Sequence, residues 1–498
     1  MTLKTEPAEL FNFDNSYARL PERFYALFPP TPVAAPRLIR LNESLAEELG
    51  LDTAKLRSAD GIAFLSGSKT PRGGTPLAMA YAGHQFGHFV PELGDGRAIL
   101  LGEILDRKGE RRDIQLKGAG QTPYSRMGDG RAALGPILRE YIVGEAMASL
   151  KIPTTRALAA VATGETVRRE TELPGAVLTR VASSHIRVGT FQFFAAREDA
   201  EALKHLADYV IARHYPEAAD ATNPYRALLD AVVARQADLI AKWLFVGFIH
   251  GVMNTDNMSV VGETIDYGPC AFMDSYDPKT VYSSIDRDGR YAYANQPKIA
   301  YWNLARLAEA LLPLLGENQE DALREAQTAI DGFASRFQKI YPAGLAAKIG
   351  IADSKPEDLA LANDLLERMS NNDADFTLTF RYLSDAVLGP DCDDAVRSQF
   401  DDPGSFDEWA LKWRQRLQDE GGDQNARREA MRKINPLFIP RNHLVEEAID
   451  AAVKREDYAP FETLLTVLSK PFEDQPEYAR YAEPPQPHQV VHQTFCGT

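Results

Sequence analysis

The hydrophobic pattern changes character along the chain. From Ala98 an apolar run, AILLGEIL, is followed by the charged, glycine-containing DRKGERR and then by DIQLKG. Two short apolar runs around such a turn predict two paired strands. The stretch PILREYIVGEAMASL, 136–150, carries apolar residues at three- and four-residue spacing with proline in its first turn, and predicts a helix. GAVLTRVA at 175–182 predicts a further strand, so residues 76–190 read as β-rich with one inserted helix. Beyond Asp199 the period becomes helical: Ala200–His214 and Leu228–Ile249 both fit it. MSVVGETIDYG at 258–268 reads as a short hairpin around Gly-Glu, and helical patterns resume from Pro297 to the 470s. Upstream, the proline-rich FPPTPVAAPR at 28–37 predicts extended chain. The first 75 residues read as an arm laid over the core, with one short helix near Asn42–Leu49. EPPQPHQ at 483–489 reads as a proline-rich tail.

The expected fold class is therefore α+β and bilobal. Residues 1–75 read as an N-terminal extension, 76–190 as a β-rich lobe, 191–350 as a helical lobe with a short β signal, and 351–498 as a C-terminal helical extension and tail. Ligands favour the crevice of such a plan. Composition narrows the class. The 498 residues are 44% hydrophobic and 25% charged, which excludes a disordered, collagen-like or coiled-coil protein. A net charge of −16 argues against non-specific binding to nucleic acid. The longest apolar stretch, Trp243–Met253, is broken by His250 and is too short to span a membrane. MTLKTEPAEL lacks the apolar core of a secretory signal. Cys270, Cys392 and Cys496 fit neither a disulfide framework nor a zinc spacing. A cytoplasmic enzyme that uses neither nucleic acid nor membrane is the expectation, with the oligomeric state left open.

Four clusters carry candidate chemistry. GDGRAILLGEI places Gly94 and Gly96 around Asp95, with Arg97 entering a strand; glycines let backbone amides approach phosphates, though a plain tight turn reads equally well. In DIQLKGAGQTPYSRMGDGR, Lys117 ends an apolar strand, where an inward charge needs a partner. Glu140, on the helix 23 residues later, supplies one, and a strand lysine paired to a helix glutamate is how kinases fix a phosphate-binding lysine. HGVMNTDNMSVVGETIDYG holds Asn257 and Asp266, hard oxygen ligands suited to Mg²⁺, and Asp256, placed to take a proton from an attacking hydroxyl. LTRVASSHIRVG holds Arg180 and Arg187. Residues 94–187 contain 15 Lys and Arg against 11 Asp and Glu, a net of +4 within an acidic chain, which suggests a polyphosphate site. His84 and His88 share H-x₃-H spacing, but Gly83 and Gly87 argue against the helix that a zinc site would need.

In their order along the chain, these clusters resemble a protein-kinase-like fold, and HGVMNTDN looks like the H-G-D-x-x-x-x-N loop of small-molecule kinases, with Val252 where that loop has its catalytic Asp. More closely, YAGHQFGHFVPELGDGRA, DIQLKGAGQTPYSRMGDGRAALG, SSHIRVGTFQ, HGVMNTDNMS, IDYGPCAFMD and NPLFIPRNH resemble the selenoprotein O family, kinase-like protein adenylyltransferases. The resemblance runs from about residue 10 to the C-terminus. It implies that Gly94, Gly96, Arg97, Lys117, Asp129, Gly130, Arg180, Arg187 and Asp266 contact the nucleotide, that Asn257 and Asp266 bind Mg²⁺ or Mn²⁺, and that Asp256 is the base. It further implies transfer of AMP from ATP, or UMP from UTP, to Ser, Thr or Tyr hydroxyls of protein substrates, with pyrophosphate released. Cys496 falls where some members of the family carry selenocysteine, and an oxidised pair with Cys270 is the accompanying redox expectation. A kinase transferring the γ-phosphoryl group and a non-catalytic nucleotide-binding scaffold are the competing readings.

Overall fold

The computed structural model describes residues 10–495. Its N-terminal half is built on an antiparallel sheet of β1 (Tyr25–Leu27), β2 (Arg37–Leu41), β3 (Leu77–Met79), β6 (Ala98–Leu105), β7 (Arg111–Lys117), β9 (Arg156–Arg168) and β10 (Glu172–Ala182). They lie in the order β1-β3-β6-β7-β10-β9-β2, and β8 (Ala132–Ala133) adds to β10. β4 (Gly83–Gln85) and β5 (His88–Val90) make a separate hairpin. Short helices α1 (Glu43–Glu48), α2 (Thr53–Leu56) and α3 (Ala59–Leu65) cover one face of the sheet, where Leu45, Leu56 and Leu65 meet Ile99, Leu101, Ile114, Leu116, Val177 and Val181. Helix α4 (Leu134–Ser149) covers the other face, its Ile137, Leu138 and Ile142 clustering with Ala160, Ala176 and Leu178. A sheet buried on both faces explains why β6 reads as a continuous apolar run and not as an alternation.

The C-terminal half is largely helical. Helices α5 (Val188–Ala195), α6 (Ala200–His214), α7 (Pro224–Phe245), α8 (Gln296–Leu315) and α9 (Gln319–Lys348) build the largest core cluster. β11 (Phe248–Ile249) and β12 (Ala271–Phe272) form a two-residue ladder within it. The C-terminal helices Asn442–Arg455 and Ala459–Leu468 return to α4, and Leu444, Val445, Phe461 and Leu464 join its cluster. Among the described residues no helix is long and apolar enough to cross a membrane.

Two expectations need correction, and one strand goes unpredicted. The segment 258–268 does not form a hairpin. Val260 and Val261 are both buried in the helical core, while Ser259 bridges Arg187 and Thr264 bridges Thr154. Packing of both valines leaves no strand pair to close on itself. The N-terminal arm is not merely laid over the core, since β1 and β2 are strands of the main sheet, paired with β3 and β9. Finally, β9 is a long strand that the hydrophobic pattern does not predict. The alanines of RALAAVATGETVR carry little strand preference, and β9 is set by pairing with β10 and β2 on its two sides.

Candidate active site

Strand alternation determines which charges meet. On β7, Ile114 and Leu116 face the α1–α3 side, so Gln115 and Lys117 face α4. On β10, Val177 and Val181 face the same α1–α3 side, so Leu178 and Arg180 face α4. The register pairs Leu178 with Lys117 and Arg180 with Gln115, which puts the two cations on neighbouring strands beneath one helix. Glu140 of α4 receives both: Lys117 Nζ pairs with its Oε2, and Arg180 Nε donates to Oε1 at 2.5 Å. Arg180 then reaches Asp266 Oδ1 at 2.8 Å, and Arg187 Nη1 donates at 2.7 Å to Asp266 Oδ2 and at 2.7 Å to the main-chain carbonyl of Asp256. Arg187 also stacks over Tyr81, its Cζ 4.4 Å from the ring centre. Lys117, Glu140, Arg180 and Arg187 are each 5% exposed or less, so these charges depend on one another and not on water.

The electrostatics separate the two acidic groups of the loop. Burial alone would raise the Asp266 carboxyl, but Arg180, Arg187 and Lys117 overturn this and hold it well below the usual carboxylate range. Its backbone has a φ of +57°, in the left-handed region that a non-glycine residue adopts at a cost of about 1–3 kcal/mol. Asp256 lacks such company. Burial pushes its carboxyl up to about 6, and Oδ1 is buried with no hydrogen-bond partner among the described residues. Burial lowers Lys117, opposed by Glu140, whereas Arg180 and Lys117 outweigh burial and lower Glu140.

A cleft of about 560 Å³ has Gly94, Gly96, Arg97, Asp129, Gly130 and Asp256 among its walls, together with Tyr81, on which Arg187 stacks; Lys117, Arg180, Arg187, Asn257 and Asp266 do not line it. The glycines there are sterically required. A Cβ at Gly94 (φ +61°) would fall on the Tyr124 ring, and one at Gly130 (φ +65°) on the Gly120 carbonyl. Asp129 sits at the rim, accepting from the Arg131 amide and paired to Arg169 at 2.9 Å. Asn257, in the turn Thr255–Asn257, donates Nδ2 to the Val252 carbonyl at 3.0 Å, which leaves its amide oxygen as the atom for a ligand. No cluster of three or more His, Cys, Asp or Glu that could hold a metal is present among the described residues. A divalent cation here would therefore draw on the Asn257 oxygen and nucleotide phosphates besides Asp266, the donor set Mg²⁺ commonly accepts.

Sequence reasoning missed several residues. Asp95, buried at 2% exposure, accepts from the Met79 amide at 3.1 Å and from Gln115 Nε2 at 3.3 Å, and so anchors the loop between Gly94 and Gly96. Gln85, on the β4–β5 hairpin, brings Nε2 to 3.5 Å from Asp256 Oδ2. The hairpin is fastened to the loop by donation from the His84 amide to Thr255 Oγ1 and from the Phe86 amide to Asn254 Oδ1. A Cβ at Gly83 would fall on the Asp256 carboxylate, so that glycine is the signal that could have linked the two segments. His84 and His88 lie on this hairpin, and His84 Nδ1 meets Gln192. Cys270 is buried, and Cys496 lies outside the described residues. Thr494 donates its hydroxyl to the Pro269 carbonyl and its amide to the Tyr282 carbonyl, both at 2.7 Å, so the tail returns to the segment that carries Cys270.

Comparison with known proteins gives a consistent result. The profile of the family described as Protein adenylyltransferase SelO matches residues 7–469. The chain is 66% identical over 495 residues to a Protein nucleotidyltransferase YdiU of Methylorubrum extorquens, covering 98% of this chain and 99% of the relative. It is 65% identical over 488 residues to proteins of the same name from Rhodopseudomonas palustris (strain BisB5) and Bradyrhizobium sp. (strain ORS 278), at the same coverage. With two-thirds identity over nearly its whole length and a family match across both halves, the chain belongs to the SelO family of protein adenylyltransferases and is an enzyme, a protein nucleotidyltransferase.

Proposed function

We propose that the enzyme transfers AMP from ATP, or UMP from UTP, to Ser, Thr or Tyr hydroxyls of protein substrates. In this reading the fold is protein-kinase-like: residues 76–190 are the nucleotide lobe, 191–350 carry the catalytic loop, and 1–75 and 351–498 are additions to it. The observation that carries the reading is a buried charge network in which Lys117 and Arg180 pair with Glu140, and Arg180 and Arg187 pair with Asp266, beside an Asp256 carboxylate with one unpartnered oxygen. The three buried cations of the network face two carboxylates, Glu140 and Asp266, and a polyphosphate supplies the missing negative charge.

Gly94, Gly96, Arg97, Asp129 and Gly130 would cradle the nucleotide in the cleft. Asn257 and Asp266 would hold Mg²⁺ or Mn²⁺, which when bound neutralises phosphate charge. The nucleotide lies reversed relative to a kinase, so that its α-phosphorus faces the acceptor. The acceptor oxygen then bonds to that phosphorus, the bond to the bridging oxygen breaks, and pyrophosphate leaves toward Lys117, Arg180 and Arg187. Asp256 takes the hydroxyl proton; a carboxyl raised toward neutrality by burial is a better base than an ordinary one. Cys270 and Cys496 form the redox pair of this reading, supported by the docking of Thr494 on Pro269. ATP labelled at the α-phosphate should label protein and γ-labelled ATP should not; efficient γ-label transfer would establish the kinase alternative instead.

A further inference from the structure

Beside the nucleotide cleft, one guanidinium is held in place with no carboxylate to hold. Arg290 stacks its Cζ 4.8 Å from the Trp302 ring centre and 5.6 Å from that of Tyr291. Nε is buried with no hydrogen-bond partner among the described residues, and the group's side-chain neighbour is the Tyr291 phenol rather than a carboxylate. Asp286, four residues earlier, is engaged by main chain: the Arg290 and Tyr291 amides donate to it at 2.9 and 2.8 Å. A planar cation fixed between aromatic rings keeps its orientation without a partner and presents a fork suited to a carboxylate.

Its position relates it to the acceptor. The guanidinium lies against Gly87, where a Cβ would be 3.7–3.8 Å from it. Gly87 follows Gln85 by two residues, and Gln85 reaches Asp256. Phe86 and Gly87 form the tight turn of this hairpin, both with positive φ, which keeps Gly87 close to Gln85. The cleft walls reach Gln85 and Asp256 but do not include Arg290, so the group stands outside the nucleotide volume. Tyr291 ties the same wall to the catalytic loop, its hydroxyl donating to Asn254 Oδ1 at 2.7 Å.

We propose that Arg290 is a specificity-determining residue of the acceptor site, binding a carboxylate that flanks the modified hydroxyl in a protein segment. This rests on the transfer reading above for the identity of the ligand, though the binding itself requires no transfer. The test uses two fluorescent peptides, each with one serine in an alanine background, bearing either Glu or Gln at the flanking positions on both sides. Binding is read by anisotropy and transfer by α-labelled ATP. The wild-type enzyme is expected to bind and modify the Glu peptide about tenfold better, the ratio that one charge-assisted contact supports. R290Q should bring that ratio close to one, while R290K, which keeps the charge, should retain part of it. Equal binding of both peptides by the wild type, or a ratio unchanged in R290Q, would overturn the assignment. Discrimination in binding without label on either peptide would leave Arg290 assigned and refute the transfer reading instead.

Discussion

Glu140 is the group on which the buried charge network turns, and Glu140→Gln tests it with little change of shape. The carboxylate faces Lys117 and Arg180 at contact distance and is 2% exposed. A pair of unit charges 4 Å apart at an effective dielectric near 20 interacts by about 4 kcal/mol. Two such pairs set an upper bound of about 8 kcal/mol on what the substitution removes. Two effects reduce it. The glutamine still accepts one hydrogen bond, and Lys117, already lowered by burial, releases its proton more readily once Glu140 is gone. The expected loss of stability is therefore about 3–5 kcal/mol, the range for breaking one partner out of a buried pair.

Two conditions should reduce that deficit. A lysine whose folded pKa lies below its unfolded value binds fewer protons in the folded state, so stability rises with pH. The substitution lowers Lys117 further, and the deficit should be smaller at about pH 9 than at about pH 7. Added ATP, which brings negative phosphates to the same cations, should also recover part of it. Denaturant unfolding of wild type and variant, at both pH values and with or without nucleotide, measures all three quantities. A loss within about 0.5 kcal/mol of wild type, or one indifferent to pH and to ATP, would refute the account of Glu140 as the balancing charge.

Asp256, raised to about 6 by burial, predicts an acid limb near that pH in kcat/KM, whereas ATP binding, resting on the strongly acidic Asp266, should persist below it; a limb below about 5 would exclude Asp256 as the base. Asp266→Ala should abolish metal-dependent ATP binding, and Asp256→Ala should retain it while turnover falls; equal loss of binding in both would overturn this division of roles. Gly83→Ala places a methyl group against the Asp256 carboxylate and should lower kcat more than it weakens ATP binding, and an unchanged kcat would show that the hairpin does not position the base. Oxidation should change activity in the wild type and not in Cys496→Ser; identical rates in all four combinations, with no mass change of two protons, would remove the redox pair.

Much of the site was legible because it follows from local period. Lys117 at the end of an apolar strand and Glu140 inside an apolar helix are charges in hydrophobic patterns, and such misfits announce a partner. The β7 and β10 runs also carry the alternation that puts Lys117 and Arg180 on one face. What stayed hidden was fixed by long-range pairing. Gln85 approaches Asp256 across 171 residues of chain, through a hairpin whose Gly83 marks a close approach without naming what approaches it. Asp95 read as part of a turn, yet its buried carboxylate ties the loop to β3 and β7. The segment 258–268 failed as a hairpin because valine favours strand and helix-packed core alike, and only the neighbours decide between them.

The C-terminal segment, the part of the chain with least chemistry in its sequence, has the widest influence on the site. Two elements must be held for the charge network to exist: α4, which carries Glu140, and the stretch that follows Asp266. Helices Asn442–Arg455 and Ala459–Leu468 bury the outer side of α4, and Arg139 pairs with Glu446 across the contact. The same segment grips the stretch after Asp266. The fully buried Arg441 bridges Asp274 at 2.7 Å and Asp375 at 2.5 Å, Asn442 donates to the Phe272 carbonyl at 3.1 Å, and Thr494 donates to that of Pro269. Since Arg441 and Asn442 are adjacent, a rigid shift of that helix would move Glu140 and the residues after Asp266 together. The two ends of the network are thus both packed against the C-terminal segment, and its geometry is set by packing within the chain.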